Sequence, residues 1–513
     1  ADTVNLNPVL KKAGVVDAGG KGFLVILQGM LDELRGLPMP EVMEEKEGSG
    51  DKADFEALSV EDITFAFDTV YIIRKDREDV DLEPLRRYLN SIGDSLVKEA
   101  QTFADELAAW RHDLHRTPEL GNDLPQTSAY IQARLAEMDI PFATLVDGSC
   151  VVGLVGAGAT AAQGNGVCTD EQAGTVVMLR GDMDALPVAE ESGEPFASTN
   201  GCMHACGHDM HATALLGAAR MLKAREAELV DANATVKLLF QPGEETFEGA
   251  RAAIADGLLE NPRPQAAFAM HVNSQSPLGL VLYGSPALSG VYGFRITLQG
   301  KGGHGSSPEI CIDPLTAGVH VHLALQELIA REVPAVKEVA LTVGKFAGGL
   351  AANVIPDTCV LEGTLRGFDV ELMEHLKTRI AEVVNGVAAT YRTPATIETL
   401  SDVPPLVLDS DMTQASLGYV GAVLPKSAFL PLFHAMASED FALISSEIPS
   451  AYFTVGAAVT DTDEHFAQHH PKARFNDAEL PLGAAAYGRY AKGLLQQTDV
   501  LIAISKNGKC RIH

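Results

Sequence analysis

The stretch "TVVMLRGDMDALP", residues 175–187, sets an apolar run directly before two aspartates. An apolar run of this length predicts a buried strand. Comparable runs follow at "ATVKLLF" and "AFAMHVN", with helical segments such as "ATALLGAARMLKA" between them. Alternating strands and helices are typical of α/β layers, in which helices cover a central sheet. We therefore predict an α/β domain in two parts, residues 99–288 and 403–495.

A different pattern separates these two parts. The segment "YGFRITLQ", residues 292–299, alternates apolar and other residues, as in a strand with one buried face. It is followed by a helix at 313–332, strands near 339–346 and 359–367, a helix at 371–390 and the strand "TPATIETL". The order β-α-β-β-α-β is that of the split ferredoxin-like unit. We predict this α+β unit at residues 289–402, inserted into the α/β domain.

The composition limits the classes of partner. The chain has 513 residues and a formal net charge of -30, and so acidic a surface repels the phosphates of nucleic acids. No run of about 18 apolar residues is present, so we expect no membrane-spanning helix and no membrane partner. The 7 cysteines, an odd number without a framework spacing, predict free thiols in a reducing, cytoplasmic setting.

The stretch "CMHACGHDMH", residues 202–211, concentrates potential metal ligands. Cys206 and His208 lie on either side of a glycine, and a tight loop there would turn both side chains toward one point. Thiolate and imidazole are good ligands for zinc and related transition metals. A buried cysteine followed by Asp209 as a helix N-cap would give a similar string. A redox pair of Cys202 and Cys206 is a third alternative, although its spacing is C-x₃-C.

Two pairs of carboxylates follow strands of the α/β domain. Glu244 and Glu245 lie in "FQPGEET", after an apolar strand, where one could bind a metal and the other could transfer a proton. Alternatively, both begin the next helix, where acidic residues favour the positive end of the helix dipole. Asp182 and Asp184 would face the same side of a continuing strand. They either share a cation or proton or are solvated loop residues.

Histidines at two further places complete the set of candidates. His271 lies at the end of the apolar strand in "AFAMHV", at the sheet edge where α/β proteins place their sites, although a lone core histidine would give the same pattern. His469 and His470 precede a proline in a polar loop, and such paired histidines are often merely exposed. Because all five groups follow strands or lie in loops of one α/β domain, we expect them to share a site.

These motifs resemble those of the zinc-dependent amidohydrolases, the family of hippurate hydrolase, aminoacylase and the auxin-conjugate hydrolases. The resemblance runs from about residue 99 to about residue 495 and is carried, in order, by "WRHDLHRTPELG", "RGDMDALP", "MHACGHDMH", "FQPGEE", "MHV", "GKGGHG", "ANVIPD", "GTLRGFD", "SEDFA" and "HHPKARFNDAELPLG". It implies a catalytic domain with a mixed central sheet flanked by helices, as in zinc peptidases, interrupted by a ferredoxin-like lid and dimerisation domain. The implied activity is hydrolysis of the amide bond of N-acyl amino acids or related small amides.

The resemblance also implies roles for individual residues. The implied ligands of two divalent metal ions (zinc, manganese, cobalt or nickel) are Cys206, His208, Glu245, His271 and His469. Glu244 would be the general base that activates a metal-bound water, and Asp184 would support it. The implied substrate contacts in the lid are His304, Asn353 and Arg366. The lid would also join two copies in a homodimer.

Several positions depart from the commonest pattern of that family. Glu309 stands where many relatives carry a further histidine, which leaves the lid-side contacts open. The tandem His469 and His470 make the last ligand ambiguous, and the order His-X-Pro favours His469. Asp182 stands where other branches have a ligand histidine, but the cysteine of this branch makes up for that loss, so Asp182 is not expected to bind metal. The small-residue segment 156–174 is expected to be an inserted surface loop.

The sequence leaves two other functions open. One is a small-peptide carboxypeptidase or dipeptidase of the same family. The other is a non-enzymatic scaffold, in which a fully ligated metal is structural and keeps no open position for water.

Residues 1–97 do not fit an amidohydrolase. The strings "NPVLKKAGVVDAGGKGFLVILQGML" and "LRRYLNSIGDSLV" resemble the end of a dihydroxyacetone-kinase-type domain and the segment after it in fatty acid kinases. The aspartates that hold magnesium and nucleotide in that family do not occur here, so we expect a fused fragment without ATP binding. "DAGGKG" is otherwise a glycine turn after a helix. We expect an acidic linker at about 36–59 and a C-terminal tail at 496–513.

Overall fold

A computed structural model describes residues 94–162, 167–421, 423, 429–431 and 434–496. The predicted kinase-like fragment and its acidic linker fall on residues 1–97, of which all but the last four lie outside the described residues. The predicted tail lies outside them from residue 497 onward. The described residues form the α/β domain and the unit inserted into it.

The helices of the described residues follow the apolar periodicity of the sequence. They are α1 (Asp94–Thr102), α2 (Ala104–Arg116), α3 (Pro125–Glu137), α4 (Ala157–Ala162), α5 (Asp170–Ala173), α6 (His208–Lys223), α7 (Glu226–Asp231), α8 (Gly249–Ala255), α9 (Pro314–Glu332), α10 (Val370–Thr390), α11 (Ser410–Val420), α12 (Phe441–Ser445) and α13 (Glu479–Gln496). Several begin at an aspartate whose side chain accepts a hydrogen bond from a free backbone amide, as Asp313 does from Leu315 N at 2.9 Å. None of these helices is both long and apolar enough to cross a membrane.

The strands belong to three sheets. They are β1 (Phe142–Leu145), β2 (Cys150–Gly156), β3 (Thr175–Asp182), β4 (Ala234–Gln241), β5 (Ala266–Asn273), β6 (Val281–Leu282), β7 (Gly290–Gln299), β8 (Gly303–His304), β9 (Val339–Gly348), β10 (Val354–Ile355), β11 (Thr358–Gly367), β12 (Ala395–Val403), β13 (Phe429–Leu430) and β14 (Ser450–Gly456). β8 and β10 pair only with each other, in a two-stranded ribbon.

The largest sheet is mixed and has eight strands in the order β1-β2-β4-β3-β5-β14-β6-β13. Its central strands β4, β3, β5 and β14 are parallel, whereas β2 is antiparallel to β4. Side chains of β3 alternate between two apolar layers, since Val177 and Leu179 join one that includes α6 and α13, and Met178 joins the other, which includes α8 and α12. Burial on both faces explains why these strands are apolar throughout. The predicted mixed sheet flanked by helices is confirmed.

The second large sheet has four antiparallel strands in the order β12-β7-β11-β9. Along the chain its elements follow as β7, α9, β9, β11, α10 and β12, which is the predicted β-α-β-β-α-β order. Apolar residues such as Phe294, Leu325 and Ile380 form a separate core between the sheet and the two helices. We call the body formed by these elements the lid. The alternation predicted for residues 292–299 reflects a sheet with only one face covered.

The small-residue segment 156–174 is not a surface loop, and that expectation was wrong for its described part. Residues 157–162 and 170–173 are the helices α4 and α5. Ala159, Ala162 and Cys168 are buried in a small cluster with Leu154 of β2 and Val176 of β3. Small side chains let α4 approach the sheet closely, because a Cβ at Gly158 would lie 2.9 Å from Thr235. The composition that suggested a loop thus serves close packing.

The parallel strands of the large sheet end together at one edge. Asp182, the last residue of β3, is in register with Gln241, the last residue of β4. The segments that follow these strands carry Asp184 and the Glu244–Glu245 pair, and β5 brings His271 to the same edge. The carboxyl ends of parallel strands are the usual location of ligand sites in such sheets.

Candidate metal centre

Cys206 and His208 are brought to this edge by the turn that begins α6. Gly207 between them has a φ of 91°, in the left-handed region that favours glycine. A Cβ at this position would also lie 2.5 Å from Val272, so a larger residue would not fit. The tight loop expected from the sequence is therefore present, and the thiol and imidazole turn toward one point.

His271 faces the Cys206 thiol. Its Nε2 lies 3.4 Å from Cys206 Sγ, and its Nδ1 donates a hydrogen bond of 2.7 Å to the carbonyl of Val272. Since the proton is on Nδ1, the lone pair of Nε2 is available for a ligand. Burial, helped by the nearby His211, holds the pKa of His271 well below its ordinary value, so the ring is neutral as a metal ligand requires.

His208 is oriented in the same way. Its Nδ1 donates to the carbonyl of Asp184 at 2.9 Å, and its Nε2 lies 3.8 Å from both Glu244 Oε2 and Glu245 Oε1. Burial alone would lower the pKa of His208, but the charge of Asp182 and the hydrogen bond to Asp184 outweigh it and raise the pKa to about 10. The surrounding carboxylates therefore attract a positive charge to Nε2.

Glu244 and Glu245 lie on a turn that is anchored by Asp184. The Asp184 carboxylate accepts a hydrogen bond from the backbone N–H of each glutamate, at 3.0 and 3.1 Å. The next helix begins only at Gly249, so the alternative that the pair starts a helix was wrong. Burial raises the pKa of Asp184 even so, because its side chain is fully enclosed.

The two glutamates of this turn differ in proton affinity. Burial, followed by the charges of Glu439 and Glu245, raises the pKa of Glu244 well above its ordinary value. Burial opposes ionisation of Glu245 too, but its contact with His469 and the charge of His208 lower its pKa. Adjacent carboxylates whose pKa values are separated in this way suit different roles.

His469 rather than His470 approaches the cluster. His469 Nε2 lies 3.4 Å from Glu245 Oε1, and its backbone N–H donates to the carbonyl of Ala205 at 3.0 Å. His470 instead stacks on Phe466 with ring centres 4.5 Å apart. The geometry thus favours His469 as the last ligand.

Asp182 uses both carboxylate oxygens within the protein. Oδ2 accepts from Arg180 Nη1 at 2.6 Å and Oδ1 accepts from His211 Nδ1 at 2.5 Å. His211 Nε2 accepts the backbone N–H of Val272 at 2.8 Å, so this ring also has both nitrogens engaged. Asp182 and Asp184 are both buried, so the solvated loop that the sequence left open is not observed. The His208 ring lies near both carboxylates, with Nε2 3.7 Å from Asp182 Oδ2 and Nδ1 3.4 Å from Asp184 Oδ1.

Asp209 does not cap α6, and that expectation was wrong. The N-cap is Gly207, which has no side chain to donate or accept. The Asp209 carboxylate instead accepts from Arg111 Nε and His115 Nδ1, each at 2.9 Å. It belongs to a separate charge network behind the helix.

The donor set fits a pair of divalent metal ions. Within each of three overlapping groups the donor atoms lie within 4.8 Å of one another: Cys206, His208 and His271; Cys206, Glu245 and His469; His208, Glu244 and Glu245. Among the described residues, His208 Nε2 and Glu245 Oε1 are buried without a hydrogen-bond partner, a state that costs free energy unless something binds there. Burial and the neighbouring glutamates raise the pKa of the Cys206 thiol, so its ionisation depends on a cation. Thiolate, imidazole and carboxylate together suit zinc and similar ions.

The three residues expected to contact substrate lie in two places. His304 and Asn353 are exposed at the ribbon of β8 and β10, where Gly305 N donates to the Asn353 carbonyl at 2.8 Å. No hydrogen bond or ion pair joins either side chain to the cluster within the described part of the chain. Arg366, on β11 of the lid, donates from Nη1 to Met436 O and Ser438 Oγ, both at 2.9 Å. Of the three, Arg366 alone is shown in contact with the α/β domain.

A buried network beside the cluster received no role from the sequence. Arg180 is 1% exposed and donates to Glu439 Oε1 at 2.8 Å and to Asp440 Oδ1 at 3.0 Å. Its sequence signal is the single cation inside the apolar run "VVMLRGD", which requires buried anions nearby. The acid pair in "SEDFA" supplies them, although the two stretches are about 260 residues apart.

The chain also matches known proteins in sequence and in fold. The profile of peptidase family M20/M25/M40 matches residues 178–493, which include all five candidate ligands. IAA-amino acid hydrolase ILR1-like 4 of Arabidopsis thaliana is 35% identical over 413 residues, 79% of this chain and 90% of the relative. N-acetyl-L-cysteine deacetylase of Bacillus subtilis (strain 168) is 35% identical over 405 residues, 78% of this chain and 90% of the relative. The crystal structure of the Bacillus subtilis YXEP protein, a dinuclear metal binding peptidase from the M20 family, matches with a TM-score of 0.59 and 28% identity, covering 79% of this chain and 99% of its own.

Proposed function

The chain belongs to peptidase family M20/M25/M40 and is a metal-dependent amidohydrolase, and from this premise we propose that it hydrolyses N-acyl amino acids or related small amides with Glu244 as general base. The Arabidopsis relative is an IAA-amino acid hydrolase and the Bacillus relative is an N-acetyl-L-cysteine deacetylase. Both names concern an amino acid that carries a group to be removed, which supports this class of substrate.

Two divalent metal ions are the proposed cofactors, with zinc, manganese, cobalt or nickel as candidates. The proposed ligands are Cys206, His208, Glu245, His271 and His469. When bound, the ions supply Lewis acidity that polarises the amide carbonyl and lowers the pKa of a water molecule. The unpartnered Nε2 of His208 and Oε1 of Glu245 support this ligand set.

The position of Glu244 is the observation that carries the proposed base, because its carboxylate lies within 4.8 Å of the donor atoms of His208 and Glu245. The opposite pKa shifts of the two adjacent glutamates agree with it. The environment that raises the pKa of Glu244 makes its carboxylate a ready acceptor for a proton from the attacking water. The protonated Glu244 then delivers that proton to the nitrogen of the leaving amine. Glu245, whose pKa is lowered, stays ionised as a ligand. Asp184 fixes the backbone of both residues and so keeps the two roles apart.

The substitution Glu244→Gln tests the proposed base. It keeps the shape and the polar character of the side chain but removes the ability to accept a proton. We expect kcat to fall by about 1,000-fold while two metal ions per chain are retained. The assays would use IAA-amino acids and N-acetyl-L-cysteine with zinc, manganese, cobalt or nickel supplied in turn.

Glu248→Gln is the matched control for this test, because Glu248 is an exposed residue of the same turn. It should retain wild-type kcat. Full activity of Glu244→Gln would exclude Glu244 as the base, and failure of the wild type on every acyl amino acid would contradict the proposed substrate class.

A homodimer through the lid is also proposed. β9 lies at the edge of its four-stranded sheet, so one side of its backbone has no partner strand within the described residues. Apolar side chains are exposed on β9 and α9: Phe346 is 43% exposed, Val319 48% and Leu323 54%. Pairing of two lids would cover both features. A molecular mass in solution near twice 54.4 kDa is the expected result, and a monomeric mass would contradict it.

His304, Asn353 and Arg366 remain the proposed substrate contacts. Support is strongest for Arg366, because it bonds Ser438, and the next residue, Glu439, has its carboxylate within 4.8 Å of that of Glu244. A cytoplasmic location is proposed as well. It is supported by the six cysteines of the described residues, all of which are free thiols.

A further inference from the structure

The turn that carries Glu244 and Glu245 is closed by one buried carboxylate. Asp440 precedes α12 and is 0% exposed. It accepts hydrogen bonds from Gln241 Nε2 at 2.7 and 2.9 Å and from the backbone N–H of Ala250 at 2.8 Å. Gln241 is the last residue of β4 and Ala250 lies in the first turn of α8. A single side chain thus holds both ends of the turn.

The turn itself leaves little room for independent movement of its ends. The backbone N–H groups of Glu248 and Gly249 both donate to the carbonyl of Gly243, at 3.2 and 3.0 Å. A Cβ at Gly249 would lie 1.6 Å from the carbonyl oxygen of Pro242, so the two ends touch through backbone atoms. A shift of either end would therefore be transmitted to the glutamates between them.

Asp440 is itself held by Arg180. The guanidinium donates to Asp440 Oδ1 at 3.0 Å and to Gln241 Oε1 at 3.1 Å. Gln241 therefore accepts from Arg180 and donates to Asp440, so its amide has one orientation. All hydrogen-bonding partners around the Asp440 carboxylate are donors, and four donor contacts reach its two oxygens.

We propose that Asp440 is a positioning residue, which sets the placement of Glu244 and Glu245 by fixing Gln241 and Ala250 at the two ends of their turn. The proposal rests on the proposed roles of Glu244 as base and Glu245 as ligand. Asp184 secures the middle of the turn from the other side, so the glutamates are fixed at three points. Residues that hold a ligand in place from behind commonly change metal affinity or activity by about 10- to 100-fold when removed.

The alternative is that the network of Arg180 and Asp440 serves stability alone. Buried ion pairs often have only this effect, because removing one partner leaves the other charge uncompensated. A general loss of stability would lower the melting temperature without a specific change in the metal site. The test therefore has to read the metal site directly.

The substitution Asp440→Asn is the first arm of the test. An amide in this place would turn N–H groups toward Gln241 Nε2 or Ala250 N, which are themselves donors, so one end of the turn is released. We expect about a 10- to 100-fold lower affinity for Co²⁺, measured by competition with a chelator, and a similar loss of kcat at saturating metal. The visible spectrum of the cobalt-loaded protein should change as well, since Glu245 moves relative to the other ligands.

The second arm is the double substitution Asp440→Asn with Gln241→Glu. The new carboxylate at position 241 accepts from Arg180 and from the new amide at 440, whose oxygen still accepts from Ala250 N. The contacts to both ends of the turn and the net charge are therefore restored, and only the contact of Arg180 with position 440 is lost. Cobalt affinity and kcat should return to within about threefold of the wild type if positioning is the role. Asp409→Asn is the control, since Asp409 also accepts from a backbone amide at a helix start but belongs to α11, away from the turn.

The outcomes separate positioning from stability and from the proposed base. Wild-type cobalt affinity and spectrum in Asp440→Asn would overturn the proposal, whatever happens to the melting temperature. Recovery of the melting temperature in the double variant without recovery of affinity would overturn it too. If Glu244→Gln proves fully active while Asp440→Asn still weakens cobalt binding, the proposed base fails and the positioning of Glu245 stands.

Discussion

His208 and Asp209 are neighbours at the start of α6, yet they face charge networks of opposite kind. His208 Nε2 is buried without a hydrogen-bond partner among the described residues and lies 3.8 Å from Glu245 Oε1. Asp209 Oδ2 accepts two hydrogen bonds of 2.9 Å, from Arg111 and from His115. The network in front of the helix, formed by His208, Glu244 and Glu245, can accept added cations. The network behind it, formed by Asp209, Arg111 and His115, already contains cationic side chains. We call them the front network and the rear network.

The pKa values show the same contrast. In the rear network burial opposes ionisation of Asp209, but the charges of Arg111 and His115 hold its pKa well below the ordinary range. In the front network burial and the charges of Glu439 and Glu245 raise the pKa of Glu244 instead. Two cationic partners keep the buried Asp209 ionised, although its Oδ1 accepts no hydrogen bond among the described residues. A buried carboxyl group with a raised pKa, such as Glu244, is instead suited to receive a transferred proton. Substitutions in front should therefore change chemistry, and substitutions behind should change stability.

The largest expected effect is loss of activity in Cys206→Ala. Cys206 belongs to two of the overlapping donor groups, so its removal should weaken both metal positions. We expect kcat to fall on the order of 1,000-fold, which corresponds to several kcal/mol of lost transition-state stabilisation. The metal-free variant should lose only about 1 kcal/mol of stability, since a small thiol is removed from the interior. Metal analysis, turnover and urea denaturation check these three expectations.

Cys202→Ala is the matched control from the same stretch. Cys202 is in no donor group found within the described residues, and it should retain metal and activity. Equal losses in the two alanine variants would instead indicate the C-x₃-C redox pair and would contradict a ligand role specific to Cys206.

The substitution Asp209→Asn should have the opposite effect, with a loss of stability and little change in activity. It leaves the buried Arg111 and His115 without their shared anion, and breaking a buried pair in this way costs about 3 kcal/mol or more. Activity at a temperature where the variant is folded should stay within about threefold of the wild type, because Asp209 faces away from the metal ligands. Denaturant unfolding measures the loss of stability, and kcat measures the activity that is retained. A stable but inactive variant would remove the distinction between the two networks.

The pH dependence of stability provides a second check on the rear network. Burial lowers the pKa of His115, but the charge of Asp209 outweighs it and raises the pKa to about 9, against 6.5 for the free side chain. A raised folded-state pKa stabilises the protein fully below pH 6.5, and this contribution is lost as the pH rises through about 9. The difference between these two pKa values corresponds to a contribution of about 3 kcal/mol to the free energy of unfolding. Asp209→Asn should flatten this slope, and an unchanged slope would assign it to another group.

The difference between the two networks also marks what the sequence can predict. Apolar runs and their spacing predicted the large mixed sheet and the order of the lid elements. The reason is that burial of one or both faces of an element determines which of its consecutive residues are apolar. Cys206 and His208 were predictable as a pair because a glycine between them forces the turn. Candidates after strand ends, such as Glu244 and His271, could be grouped because parallel strands end at one edge.

The sequence could not predict partners that are distant along the chain. Asp209 has the position and residue type of a helix cap, yet Arg111 and His115 of α2 provide a stronger interaction. The clamp of Asp440 on Gln241 joins segments 199 residues apart, and no local pattern relates them. In both cases the partner is supplied by another element, and for Asp209 it overrides the propensity to cap the helix.

A buried carboxyl group of a third kind sharpens the contrast, because among the described residues it has neither a counter-ion nor a metal site. Glu479, in the first turn of α13, is 3% exposed, and its Oε2 has no hydrogen-bond partner in the described part of the chain. It lines a small apolar cavity with Met210, Met270 and Tyr487. Burial raises its pKa well above the ordinary value of 4.5. The folded protein therefore binds this proton more tightly than the unfolded chain does.

The smallest expected effect is a gain of stability in Glu479→Gln. Because the unfolded chain releases the proton above about pH 4.5 while the folded protein retains it, the free energy of unfolding should fall as the pH rises from that value. A glutamine has no such proton, so the variant should match the wild type near pH 4 and exceed it in stability as the pH rises toward 8. Glu371→Gln is the control, since Glu371 is an acid in the first turn of α10 but is exposed. If both variants keep the wild-type dependence of stability on pH, Glu479 has a compensating partner. It would then resemble the paired carboxylate of the rear network rather than a third kind of buried acid.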